Sequence, residues 1–195
     1  MYKTFLIILL ITFAGVSQEE FQSAQYCGEC HQKIYQEWLS SLHANSTPQK
    51  DPLFQGMYDL AIEETAGKLT EKCIVCHSPL ATVFQDYNRE AACNQDGVTC
   101  QFCHGTTEIV AFHTAKDMKI DLATIYSDQP DLESASHPVA HREYFYKSEF
   151  CLPCHAEMKN PADLEVCATG SEWRDYYKET GKNCQDLHSG APCSR

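Results

Sequence analysis

The pentapeptides Cys27-Gly28-Glu29-Cys30-His31 and Cys73-Ile74-Val75-Cys76-His77 begin a series that decides the fold of this chain. Two further copies follow, Cys100-Gln101-Phe102-Cys103-His104 and Cys151-Leu152-Pro153-Cys154-His155. Each has the pattern Cys-x-x-Cys-His, the signature of covalent haem c attachment. The two thiols form thioethers with the haem vinyl groups, and the histidine binds the iron as its proximal ligand. The sequence therefore predicts four covalent haem c groups, with proximal ligands His31, His77, His104 and His155.

Paired Cys-x-x-Cys motifs also build tetrahedral zinc sites, so zinc is the alternative interpretation. The second and third motifs start 27 residues apart, which suits a zinc ribbon. A ribbon, however, has no need for a histidine directly after each second cysteine, and all four motifs have one. Haem attachment is therefore the prediction.

The first 17 residues have the pattern of a secretory signal peptide. Lys3 supplies the positive start, and residues 5–16 are apolar but too short to span a bilayer. Small residues precede a cleavage site after Ser17, which leaves a mature domain over residues 18–195. An uncleaved anchor is the alternative. Export predicts a periplasmic or extracellular location. Disulfides can form in these compartments.

Four of the 12 cysteines lie outside the haem motifs, namely Cys93, Cys167, Cys184 and Cys193. Four cysteines allow three disulfide pairings, and the sequence does not choose among them. The stretch Cys184-Gln185-Asp186-Leu187-His188, in the tail over residues 160–195, is a haem motif with leucine in place of its second cysteine. It indicates a lost fifth site, with coincidence as the alternative. Because one thiol is a poor substrate for attachment, we predict no fifth haem.

The predicted fold class is mainly α with little regular structure, as short helices and loops wrapped around a haem core. Four haems in a single domain leave about 45 residues for each, so the haems replace most of an ordinary core. Apolar residues recur at helical spacing in residues 32–43 and again in residues 51–69. In the second stretch we expect one face to pack, comprising Leu53, Phe54, Met57, Leu60 and Ala61. A third helix is predicted to run from Pro138 into the fourth motif, with His137 and His141 on one face.

Five histidines remain as candidate distal ligands: His43, His113, His137, His141 and His188. Four haems need at most four distal ligands, so this supply favours six-coordinate bis-histidine iron, which suits electron transfer. In a continuous helix His31 and His43 would be about 18 Å apart along the axis. Axial nitrogens on one iron are only about 4 Å apart. His43 therefore ligates a different haem from that of His31, or none.

The net charge of −12 makes nucleic acid an unsuitable partner. An acidic surface can steer the protein towards a basic redox partner. The alternative is that the acidity serves solubility.

Three further elements surround the motifs: Glu37-Trp38 with His43-Ala44, Gly97-Val98-Thr99 before the third motif, and Ser148-Glu149-Phe150 before the fourth. Together they resemble the tetrahaem cytochrome c-554 family of ammonia-oxidising bacteria, in matching order from about residue 26 to 158. The resemblance implies a multihaem cytochrome that transfers electrons between redox proteins. It also implies that the distal ligand is His43 for the haem of His104 and His113 for that of His31.

For the haem of His155, the resemblance implies His141 or His137 as distal ligand. In that family the second haem is five-coordinate. Here His77 lacks a partner, or is paired with His188 or the spare member of the 137/141 pair.

We thus predict a periplasmic electron-transfer protein rather than an enzyme. One alternative is an oxidoreductase that acts on a small nitrogen or sulfur compound at a five-coordinate second haem. Another is a subunit of an extracellular haem filament or outer-membrane conduit, in which a surplus histidine would ligate a neighbouring subunit's haem. No membrane-spanning segment is predicted in the mature chain.

Overall fold

The computed structural model describes residues 21–159 and 163–188. The predicted signal peptide and Cys193 lie outside these residues. Within them the helices are short: α1 Ala24–Gly28, α2 Gln32–Leu39, α3 Pro52–Thr65, α4 Thr70–His77, α5 Leu80–Phe84, α6 Cys100–His104, α7 Leu152–His155, α8 Thr169–Tyr176 and α9 Cys184–His188. The prediction of a mainly α protein with little regular structure is confirmed.

Three small two-stranded sheets complete the regular structure of the described residues. They pair β1 Thr106–Ile109 with β2 Met118–Ile120, β3 Ile125–Ser127 with β4 Val139–His141, and β5 Met158–Lys159 with β6 Glu165–Cys167. The first and third sheets are antiparallel, and the second is parallel. Short 3₁₀ turns join the elements at Ala92–Gln95, Ala115–Asp117, Glu143–Tyr146, Ser148–Phe150 and Lys178–Thr180.

Helix α3 confirms the helix predicted in residues 51–69. Both of its ends have features that commonly begin or end a helix. The Asp51 side chain accepts hydrogen bonds from the backbone N–H groups of Leu53 and Phe54, and Pro52 occupies the first turn. The helix stops where Ala66 takes a left-handed conformation, with φ 50°.

The apolar face predicted on α3 is packed only in part. Phe54 joins the buried cluster of Tyr58 and Ile74, but Leu53, Met57 and Leu60 are 75%, 64% and 59% exposed. Among the described residues, no side chains cover these three positions.

Helix α2 is shorter than the stretch predicted over residues 32–43, because it ends at Leu39. The Asn45 side chain donates to the carbonyl oxygens of Leu39 at 3.2 Å and Ser41 at 2.9 Å. These bonds satisfy carbonyls that a longer helix would have used. His43 therefore lies in the turn after the helix, and the 18 Å estimate for a continuous helix no longer applies.

The predicted helix from Pro138 is wrong. Val139–His141 is instead a strand that pairs in parallel with Ile125–Ser127, and only a 3₁₀ turn follows it. Pairing with a distant strand has outweighed the local spacing, as often happens for β-branched residues such as Val139 and Ile125. His137 and His141 consequently do not share a helix face.

The main buried cluster is built around the attachment motifs. It contains Val75, Leu80, Phe102, Ala115 and Met118. The motif thiols Cys76, Cys103 and Cys154 pack against it, each from a different motif. The second, third and fourth motifs therefore converge on one core. No helix in the described residues is long and apolar enough to cross a membrane.

Candidate haem-binding sites

Each motif occupies about one turn of helix, so its two cysteines and its histidine lie on the same turn. The second and third motifs lie wholly within α4 and α6. In the first motif the His31 N–H donates to the Cys27 carbonyl at 2.9 Å, and in the fourth the His155 N–H donates to the Cys151 carbonyl at 3.0 Å. No described cysteine is in a disulfide, so all eight motif thiols are free. Two thiols and an imidazole on one turn are the donor set that haem c requires.

The His77 ring is oriented by a backbone carbonyl. Its Nδ1 lies 2.9 Å from the Ser46 carbonyl oxygen, which can only accept, so Nδ1 carries the proton. The Nε2 atom is then left as the ligand nitrogen. The ring stacks on Phe54 with centroids 4.1 Å apart, and burial lowers the pKa of His77. Neutral imidazole is the form that binds a metal.

His104 has the same arrangement. Its Nδ1 lies 2.8 Å from the Tyr126 carbonyl oxygen, and its ring stacks on Phe145 with centroids 5.3 Å apart. Desolvation lowers the pKa of His104, and the neighbouring His31 and His137 lower this pKa further. His31 and His137 therefore both lie in the vicinity of His104.

His43 lies against His155, with ring centroids 6.1 Å apart and ring planes at 53°. The resemblance to the tetrahaem family implied His104 as its opposite ligand; the ring contact joins His43 to His155 instead. The turn that carries His43 is fastened to the segment before the third motif, because the Val98 N–H donates to the His43 carbonyl at 2.9 Å.

The other candidate distal histidines have other surroundings. His113 is exposed and its Nδ1 lies 3.2 Å from an Asp117 carboxylate oxygen. His137 is half-buried, with Nδ1 3.4 Å from the Pro138 carbonyl oxygen, and His141 is exposed. The backbone of His188 ends α9, but its side chain lies outside the described part of the structure.

Thiols from different motifs lie next to each other. The neighbouring Cys100 thiol lowers the pKa of Cys27 to about 7. The pKa of Cys76 is lowered in the same way by Cys154. The first and third motifs are therefore adjacent, as are the second and fourth.

Trp38 and Gly97 position the third motif. In the sequence they stood out only as parts of the elements that resemble the tetrahaem family. The Trp38 indole N–H donates to the Val98 carbonyl at 2.8 Å. Gly97 has φ +78°, and a Cβ there would lie 2.7 Å from Ser46 Oγ and closer still to the His43 carbonyl oxygen. Only glycine fits this position, so the element Gly97-Val98-Thr99 has a steric reason.

Sequence reasoning missed Arg89. It is only 7% exposed, and it donates to Gln49 Oε1 at 3.3 Å, Tyr58 Oη at 3.5 Å and the Tyr87 carbonyl at 3.3 Å. Within the described residues it forms no ion pair with a carboxylate. A buried cation without a counter-charge is suited to hold an anionic group. No periodicity or motif signals such a residue.

Zinc and haem place different demands on the protein ligands. A structural zinc site needs four converging ligands, and in the part of the chain that the structure describes no three His, Cys, Asp or Glu side chains converge on a metal position. A haem iron takes only two protein ligands, so the histidine arrangement fits haem.

Residues 26–105 match the model of the cytochrome c554 and c-prime family. In fold, the chain is similar to the crystal structure of a penta-heme cytochrome c552 from Thermochromatium tepidum, with a TM-score of 0.69 and 21% identity. The similarity covers 87% of this chain and 54% of that one, so the chain spans about half the length of that structure. No match was found among curated proteins.

The motifs, the free thiols, the oriented imidazoles and the family match lead to the same assignment. Over residues 26–105 the chain is similar to the cytochrome c554 and c-prime family, and its fold is similar to that of a multihaem c-type cytochrome.

Proposed function

We propose that this protein is an exported tetrahaem cytochrome that passes single electrons between redox partners outside the cytoplasmic membrane. Its four haem c groups are held by the cysteine pairs of the four motifs, with His31, His77, His104 and His155 as proximal ligands. Bound haem supplies the one-electron Fe(III)/Fe(II) couple. The chain supplies attachment, axial ligands and the spacing between neighbouring sites.

The contact between His43 and His155 carries this proposal. Two imidazoles that bind one iron from opposite sides, each with its nitrogen about 2 Å from the metal, have ring centroids about 6 Å apart. The observed separation is 6.1 Å. We therefore propose His43 as the distal ligand of the fourth haem. Iron with two histidines has no open position for a substrate, which favours electron transfer over catalysis.

The adjacency of the motifs supports electron transfer in a second way. Because Cys27 neighbours Cys100 and Cys76 neighbours Cys154, haems attached to these thiols lie close together in pairs. The proximity of His137 to His104 makes His137 the proposed distal ligand of the third haem. His113 stays the candidate for the first haem.

Arg89 has a proposed role at the second site. Its guanidinium lies over Tyr58, 5.3 Å from the ring centroid, and Tyr58 belongs to the same buried cluster as the attachment residue Cys73. A haem propionate is the anionic group that this buried cation would pair with. The carbonyl groups of Ser46 and Tyr126 keep the proximal rings of His77 and His104 in their binding orientation.

An oxidoreductase acting at the second haem is the alternative function. Of the four proximal histidines, His77 is the one for which the contacts above and the family resemblance give no distal histidine within the described residues. An iron without a distal histidine would bind a small nitrogen or sulfur compound. High-spin iron that binds carbon monoxide in the reduced protein would support this alternative.

The test of the proposed function begins with intact mass and absorption spectra. We expect four haems per chain and low-spin spectra for the bis-histidine sites. The His43→Ala variant should retain four haems and convert one of them to high spin. A protein with fewer than four haems, or an unchanged spectrum in the variant, would contradict the proposal.

Removing single haems identifies which iron His43 serves. In a Cys151→Ser/Cys154→Ser background, which lacks the fourth haem, His43→Ala should change no spin state. In a matched Cys100→Ser/Cys103→Ser background, which lacks the third haem, His43→Ala should still convert one haem to high spin. The opposite pattern would assign His43 to His104.

A further inference from the structure

Residues 181–188 repeat the local structure of residues 97–104, which carry the third haem motif. Each segment begins with a glycine in the left-handed region, Gly97 at φ +78° and Gly181 at φ +73°. In each segment a five-residue helix begins three residues after the glycine. The helices are Cys100–His104 and Cys184–His188. The cysteine and the histidine occupy the first and last positions of both helices.

A tryptophan fastens both segments through the same bond. The Trp38 indole N–H donates to the Val98 carbonyl at 2.8 Å, and the Trp173 indole N–H donates to the Lys182 carbonyl at 2.9 Å. In each case the acceptor stands two residues before the first cysteine. Trp173 is only 6% exposed, so this bond belongs to the packed structure of the tail.

The residue after the first cysteine also has the same role. Gln101 donates through Nε2 to the Leu122 carbonyl at 2.8 Å, and Gln185 donates through Nε2 to the Phe145 carbonyl at 2.7 Å. These bonds fix one face of each short helix against a neighbouring segment.

The first thiol of each segment faces the first thiol of another motif. Cys100 lies beside Cys27, and the two thiols shift each other's pKa. Cys184 lies beside Cys151, where burial and the Cys184 thiol raise the pKa of Cys151 to about 12. The Cys184 N–H also donates to Ser148 Oγ at 2.9 Å, which docks the tail onto the fourth motif.

We infer that residues 169–188 are a degenerate fifth haem c site, which keeps the left-handed glycine, the tryptophan bond and the first thiol but lacks the second attachment thiol. Leu187 stands where the third motif has Cys103, and at 42% exposure it is not a core residue. Leu187→Cys alone should therefore make the protein take up a fifth haem c. This inference rests on the proposed haem attachment at the four intact motifs.

The attachment reaction needs no oxidant or further reactant beyond haem itself. At each thiol the S–H bond and the π bond of one haem vinyl group break, and an S–C bond forms. The thiol proton passes to the other vinyl carbon, so nothing leaves. A second thiol at position 187 would allow both vinyl groups to react, as at the other sites.

The experiment compares intact masses of the wild type and Leu187→Cys after expression of the full chain with c-type cytochrome maturation. We expect four haems in the wild type and a product with five in the variant. The four native sites are the internal control that maturation has run. A wild type with fewer than four haems would contradict the proposed function, whereas four haems in both proteins would overturn only the present inference.

Two matched variants separate a haem site from simple gain of a thiol. Leu187→Ser removes the same leucine without adding a thiol and should remain at four haems. Leu187→Cys/Trp173→Phe keeps both thiols but loses the indole bond to Lys182, and its five-haem fraction should fall several-fold. An equal five-haem fraction with and without Trp173 would show that the scaffold has no part in attachment.

Discussion

Replacing Gly97 by alanine tests whether the turn that carries His43 is set by its contact with the segment before the third motif. At φ +78° a non-glycine residue costs about 1–2 kcal/mol in backbone strain. The added Cβ would also lie 2.7 Å from Ser46 Oγ and closer to the His43 carbonyl oxygen. Overpacking of this kind costs a further 1–3 kcal/mol or so. We expect the free energy of unfolding to fall by about 2–5 kcal/mol.

Gly181→Ala is the matched control, because Gly181 has nearly the same φ, +73°, and nothing lies within 4 Å of its added Cβ. Its free energy of unfolding should fall only by the backbone strain, which is about 1–2 kcal/mol. Guanidinium unfolding followed by far-UV circular dichroism measures both losses. Gly97→Ala should also raise the high-spin fraction, since His43 moves with its carbonyl. Equal losses in the two variants, with unchanged spectra, would refute the steric argument.

Three further predictions concern stability and partner recognition. Trp38→Phe should lower the free energy of unfolding by about 1 kcal/mol, because the bond to the Val98 carbonyl is lost; no change in denaturant midpoint would contradict this. For Asp86, burial raises the pKa, but hydrogen bonds from the Ala91 N–H and other donors outweigh it and leave the pKa lowered. Asp86→Asn should therefore destabilise the protein at neutral pH, and the difference from wild type should shrink as pH falls below about 4; a difference that persists at pH 2–3 would argue against it. If the acidic surface steers a basic partner, the bimolecular electron-transfer rate should fall as salt rises from about 10 to 200 mM, and a flat dependence would leave the acidity as a solubility feature.

The tail shows how sequence and structure complement each other. The degenerate motif ending at His188 is visible in the sequence. A chance similarity of five residues, however, explains it almost as well as a lost haem site does. The left-handed Gly181 and the bond from Trp173 to Lys182 are features of the folded chain. They show that the tail resembles the third motif in local structure as well as in sequence.

The sequence by itself determined the class of cofactor, the attachment cysteines expected to hold it and the expected proximal histidines. This was possible because thioether formation and proximal ligation use residues within a single pentapeptide, which can be recognised in the sequence without knowledge of the fold. The overall fold class followed, since so much haem in so short a chain leaves room only for short helices and loops.

The tertiary structure decided which distant groups meet. The contact between His43 and His155 joins residues 112 positions apart, and no spacing rule reaches so far. The strand at Val139–His141 depends on its partner Ile125–Ser127, so local periodicity predicted a helix wrongly. The buried Arg89 was likewise invisible, because burial is a property of the whole packing. Distal ligation and charge placement depend on long-range contacts, and only the folded chain contains them.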